Sequence, residues 1–158
     1  QAKAATPLEL LKLVVEAFLA AEPDAFLAEI IAHMRLHGAT IRVGTMILDA
    51  VARAGQVEVM MKLWGLFQSE LKMGRTHSMY EVVLAGFATV GDCQNVKEVS
   101  AQLKKDKQTI SARGYSLMIK GFLKNGMLDA VQKQIFEMRS EGHDVPIFAL
   151  SQFFRIAA

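Results

Sequence analysis

The sequence predicts an all-α fold, an α-solenoid of helical hairpins, on three observations. The glycines Gly55, Gly91 and Gly126 fall 36 and 35 residues apart. Aligned on them, "TMILDAVARAGQVEVMMKLWGLF", "EVVLAGFATVGDCQNVKEVSAQL" and "SLMIKGFLKNGMLDAVQKQIFEM" agree column by column in physical type. No segment shows the alternation of a strand. Hairpins of constant length, each too small to bury its own apolar face, bury it by stacking.

Each element follows from local pattern. Thr6-Pro7 is a helix start, an N-cap hydroxyl before a proline at the first helical position. That helix runs to about Ala21, Glu22-Pro23-Asp24 breaks it, and a second helix runs to about His37, stopped by Gly38. In the three aligned hairpins Leu48, Leu84 and Ile119 share a first-helix face with Val51, Phe87 and Phe122. Ala50, Gly86 and Gly121 are small, as close helix packing requires. The turn glycine supplies the left-handed conformation that ends a helix. Val57, Cys93 and Leu128 begin the expected buried stripe of the second helix. Met60, Val96 and Val131 continue it, and Phe67, Leu103 and Met138 close it, with Phe136 read as part of the last apolar run. Val145-Pro146 then breaks the chain, and "IFALSQFFRIAA" begins one more first helix. The expected repeats span 8–40, 41–76, 77–111, 112–146 and 147–158, four hairpins plus half of a fifth in one solenoid segment. The last helix is expected to expose Phe148, Phe153, Phe154 and Ile156, candidate contacts for further chain or for a partner.

Composition narrows the function classes. Of 158 residues 52% are hydrophobic and mean hydropathy is +0.24, so a partner or further chain is expected to cover part of the surface. The most apolar window, Leu8 to Ala21, carries Lys12 and Glu16 and is too short to span a membrane. A net charge of +2 makes any nucleic-acid surface local. Cys93 is alone, which excludes an internal disulfide and fits a reducing compartment. A start at Gln1 fits either a processed product or part of a longer chain.

Tyr80 and Tyr115 near the start of the first helix, the turn glycines and a closing M-x-x-x-G resemble the pentatricopeptide repeat. "GYSLMIKGFLKNGMLDAVQKQIFEMRSEGHDVP" is similar to one complete motif; "IIAHMRLHG" carries the likeness in the first hairpin. A tetratricopeptide array has a similar period, but its Trp or Leu-Gly pair and its fixed Ala positions are poorly matched. The resemblance implies a right-handed superhelix lined by first helices. It also implies single-stranded RNA as ligand, in a mitochondrion or chloroplast, with two side chains per repeat reading one base. Those pairs would be Thr45 with Thr76, Glu81 with Ser111, and Ser116 with Pro146, Ser151 beginning the next. Arg42, Ser78, Arg113 and Phe148 take the position that packs against the base. A carboxylate at Glu81 would repel phosphates.

The first helices carry basic Lys12, Arg42, Arg53, Arg113, Lys120, Lys124 and Arg155 against acidic Glu9, Glu16, Asp49 and Glu81. The expected concave side is therefore the basic side. Arg53 and Lys124 stand two residues before the turn glycine, where the family often places a phosphate-contacting Lys; Thr89 breaks that row. His33 and His37 have a metal-compatible spacing without a third ligand. Trp64 reads as packing between repeats. "KKDKQ", Lys104 to Gln108, suits a helix C-terminus. No phosphate loop, nucleophile–base set or paired-carboxylate site is present, so no enzyme, cofactor, metal or small-molecule substrate is expected. Two functions follow from the resemblance and these residues. The first is RNA binding through Arg42, Thr45, Arg53, Arg113, Ser116, Lys120, Lys124 and Ser151. The alternative is a non-catalytic scaffold docked through Phe148, Phe153 and Phe154 on a large organellar complex, a ribosome or a photosynthetic or respiratory assembly.

Overall fold

The computed structural model describes residues 13, 15–17, 20–21 and 23–157, and every regular element among them is helical. The expected helix start at Thr6-Pro7, with Glu9 and Lys12, lies outside the described residues. The helices are α1 (Pro23–His37), α2 (Ile41–Arg53), α3 (Val57–Ser69), α4 (His77–Thr89), α5 (Cys93–Lys105), α6 (Ala112–Lys124), α7 (Leu128–Ser140) and α8 (Ile147–Ala157). None of them is long and apolar enough to cross a membrane. The chain forms two compact units, Gln1–Thr76 and His77–Ala158.

The turn inside each hairpin is the same device three times. Gly55, Gly91 and Gly126 have φ of +74°, +74° and +66°. The amide after each glycine reaches back five residues: Gln56 donates to the Val51 carbonyl at 3.3 Å, Asp92 to Phe87 at 2.9 Å, and Met127 to Phe122 at 3.0 Å. These are Schellman closures, which satisfy carbonyls that a helix end otherwise leaves open.

The turn between hairpins explains the uneven period. After α5 and α7 the closure again spans five residues, Gln108 to Leu103 at 3.0 Å and His143 to Met138 at 2.9 Å. After α3 it spans six, Met73 to Phe67 at 2.8 Å. That extra residue accounts for a glycine separation of 36 where the next is 35.

Burial follows the columns. Leu48, Leu84, Ile119, Val51, Phe87, Phe122, Met60, Val96, Val131, Phe67, Leu103 and Met138 are all buried, as is Trp64. In the first unit α3 packs on α1 and α2. In the second, α4 packs on α5 and α6, while α8 packs on α6 and α7. The closest approach there is at Gly121: a Cβ at that position would stand 2.7 Å from Ala88 C and Thr89 N. The Asn125 side-chain amide spans the same junction, donating to the Thr89 carbonyl at 2.8 Å and the Gly121 carbonyl at 2.9 Å.

Two expectations about the second helices are corrected. Cys93 is exposed, not buried. It opens α5 just after the Asp92 cap, whose carboxylate accepts from the Asn95 amide at 3.1 Å. The buried stripe of α5 starts one turn later, at Val96, whereas Val57 and Leu128, at the same position of α3 and α7, are half-buried. Phe136 is likewise outside the core, at 74% exposed; the stripe of α7 runs through Val131, Gln134 and Met138 instead.

Candidate nucleic-acid interface

One face of α6 is basic. Arg113, Leu117, Lys120 and Lys124 are spaced by four, three and four residues, so they form one stripe along the helix. All four are exposed. The helix carries no acidic residue, so nothing within it offsets the three cations. Ser116 lies half-buried at the edge of the stripe. In the same unit Lys120 extends its ammonium over the Phe148 ring of α8, 5.5 Å from the centroid, a cation–π contact that fixes a flexible side chain. Ser151 and Arg155 are exposed on α8.

The corresponding stripe of α2, in the first unit, is weaker. Arg42 and Arg53 are exposed, but Arg53 pairs with Asp49 across one turn at 2.9 Å. The Thr45 hydroxyl donates to the Ile41 carbonyl of its own helix at 2.7 Å. The candidate residues thus divide between the units: Arg42, Thr45 and Arg53 in one, Arg113, Ser116, Lys120, Lys124 and Ser151 in the other.

Glu81 departs from expectation. Its carboxylate does not project from α4. It is 9% exposed and accepts a hydrogen bond from the Ser111 amide at 2.7 Å. A Cβ at position 114 would stand 2.7 Å from the Glu81 Cδ, so Gly114 makes the room for this tie. A buried carboxylate is stable only with such a donor. The Ser111 hydroxyl is engaged as well, accepting from the Gly114 amide at 3.2 Å as the N-cap of α6. Thr40 caps α2 in the same way, accepting from Val43 at 3.2 Å. Ser111, a closing position expected to face a base, therefore caps the next helix instead.

The last helix is less open than expected at two of its phenylalanines. Phe148, under Lys120, and Phe153, in edge-to-face contact with Phe154 at 5.8 Å, are half-buried. Phe154 and Ile156 are 66% and 44% exposed. Only Ala149 of α8 is fully buried.

His33 and His37 stack with ring centroids 4.4 Å apart, and no group of three or more metal-ligating side chains occurs among the described residues. The sequence reading missed three contacts: the Glu81–Ser111 tie, the Asn125 bridge and the Lys120–Phe148 pair. Each joins residues about 30 or more positions apart. Only Asn125 carried a local signal, an Asn-Gly pair at a helix end.

Residues 114–143 match the family model of the PPR repeat. The fold is similar to that of the pentatricopeptide repeat protein PPR10, crystallised in complex with an 18-nt psaJ RNA element. That likeness has a TM-score of 0.65 at 17% identity, over 96% of this chain and 23% of that one. A triple Cys-to-Ser variant of PPR10, bound to the same element, gives the same figures. The present chain therefore spans about a quarter of the length of those proteins. No curated protein matches the sequence. Residues 114–143 are thus a pentatricopeptide repeat, set in a chain with the helical-repeat solenoid fold of the pentatricopeptide proteins it resembles.

Proposed function

We propose that this chain is a non-catalytic module that binds single-stranded RNA through the exposed face of its first helices. One observation carries the reading: Arg113, Lys120 and Lys124 line one exposed stripe of a helix without an acidic residue. The similarity to a protein crystallised with RNA supports it. Binding draws mainly on phosphates, with Arg42 and Arg53 adding charge in the first unit. Thr45, Ser116 and Ser151 stand where bases pass. An organellar role, in a mitochondrion or chloroplast, in processing, stability or translation of RNA, fits the family the repeat belongs to.

The test is titration of a random-sequence single-stranded RNA pool at increasing salt. Steep weakening with salt is expected, with loss of binding in Arg113→Glu/Lys124→Glu at unchanged helicity. No binding at low salt would sink the reading.

A second reading rests on the exposure of Phe154 and Ile156 on α8. In that case the chain is a scaffold docked on a large organellar assembly, such as a ribosome or an energy-converting complex. Replacing Phe154 by Ser would then release the chain from that assembly while leaving RNA binding intact.

A further inference from the structure

The first-helix stripe occupies the same offsets in α2, α4 and α6, and its chemistry changes sharply at α4. Where α6 presents Arg113, Leu117, Lys120 and Lys124, α4 has Ser78, Val82, Ala85 and Thr89. None of these is charged, and the last three are half-buried. The lone carboxylate of α4, Glu81, is buried against the Ser111 amide. The Ser111 hydroxyl at that edge caps α6. The Thr89 hydroxyl donates to the Ala85 carbonyl at 2.8 Å. Of the polar groups along this edge, then, Glu81, Ser111 and Thr89 already hold partners within the fold, and α4 itself carries no lysine or arginine to meet a phosphate.

Resting on the RNA reading above, we propose that the third hairpin is a closed station on the nucleic-acid face. Glu81 closes it, and in the unit His77–Ala158 a single strand is gripped by the fourth hairpin and α8 alone. Since α4 packs directly on α6, a strand held on α6 and longer than one hairpin passes over α4 without a charged contact. By accepting from the Ser111 amide, Glu81 keeps its own charge out of the strand's path.

Two variants test this in opposite directions, read by the salt dependence of binding to a random 20-nucleotide single-stranded RNA. Glu81→Gln keeps an oxygen to accept from the Ser111 amide; it is expected to leave both affinity and salt slope unchanged. Thr89→Lys adds a cation at the place held by Lys124 one hairpin later. It is expected to steepen the slope of log K against log salt by about 0.7, one more phosphate on a single strand, and to tighten binding several-fold at low salt. An unchanged slope in Thr89→Lys would mean that the strand does not cross α4, and would overturn the proposal. A steeper slope in Glu81→Gln would mean that the carboxylate faces the strand, and would also overturn it. Both failures leave wild-type RNA binding intact. Absence of wild-type binding at low salt instead overturns the RNA reading, and this proposal with it.

Discussion

Tyr80 donates its phenolic hydrogen to Asp106, 26 residues further along, and the same reach joins Tyr115 to Glu141 in the next hairpin. Asp106 and Glu141 are the C-cap residues of α5 and α7. Each pair ties the first helix of a hairpin to the end of its second. In the second hairpin the tyrosine column holds Gly44 and the carboxylate column Glu70. There the buried Met73 occupies the vacated space, its methyl 2.7 Å from where a Cβ at 44 would stand, while Glu70 pairs with Arg35 of α1.

This arrangement predicts alkaline destabilisation. Burial, and next the hydrogen bond to Glu141, hold the Tyr115 phenol well above its ordinary range. In the unfolded chain a tyrosine ionises near pH 10. Above that pH the folded state keeps a proton that the unfolded state has lost, so stability falls as pH rises. Thermal unfolding followed from pH 8 to 11 should show the midpoint dropping above about pH 10. Tyr115→Phe should flatten that drop. It should also lower the midpoint at pH 8, by the equivalent of roughly 1–2 kcal/mol for the lost hydrogen bond.

Two helical glycines should respond to alanine with opposite sign. At Gly121 the new Cβ would meet backbone atoms Ala88 C and Thr89 N at 2.7 Å. Backbone does not step aside as a flexible side chain does, so Gly121→Ala should cost about 1–3 kcal/mol through forced separation of α4 and α6. Around Gly65, mid-α3 and exposed, nothing lies within 4 Å. Gly65→Ala should therefore stabilise by about 0.5–1 kcal/mol, through helix propensity alone. Chemical denaturation of the two single variants distinguishes the cases.

The contrast between those glycines shows what was legible in the sequence. Gly55, Gly91 and Gly126 announced the turns because a positive φ at a helix end is a demand that one residue type meets cheaply. The apolar columns announced the core because helical spacing is local. Cys93 misled because residue type alone does not say whether a helix's first position is covered. Glu81 misled because its partner, Ser111, lies 30 residues away and is a backbone amide, which side-chain pattern cannot reveal. Among the candidate site residues, the α6 stripe follows from helical spacing, whereas the Lys120–Phe148 contact crosses from one hairpin to the next and has no local sign.

Lys107 takes the left-handed conformation, φ +56°, in the turn after α5, where the turn after α7 has Gly142 at φ +87°. A residue with a Cβ pays roughly 1 kcal/mol there, which glycine avoids. Lys107 is exposed, and its amide donates to the Lys104 carbonyl, a bond that glycine keeps. Lys107→Gly should raise the unfolding midpoint, the strain relieved exceeding the added freedom of the unfolded chain. Lys107→Ala should not, because it keeps the Cβ. A midpoint raised equally by both would assign the effect to charge instead of backbone.

Asn125 separates donor from acceptor at the junction of α4 and α6. Its amide nitrogen faces three carbonyls, those of Thr89 at 2.8 Å, Gly121 at 2.9 Å and Ala88 at 3.4 Å. The equivalent position one hairpin earlier is Val90, so the third hairpin lacks this bridge. Asn125→Ala should cost about 1 kcal/mol, since the exposed side of the site lets water reach the freed carbonyls. Asn125→Asp should cost more than Asn125→Ala although it is closer in shape. A carboxylate there offers only acceptors to a ring of acceptors, and its charge meets the negative end of the α4 dipole. Lowering the pH through the carboxylate range should recover part of the loss in Asn125→Asp, because the protonated acid regains one donor. Equal stability of the two variants at neutral pH would show that the amide donates nothing at this junction.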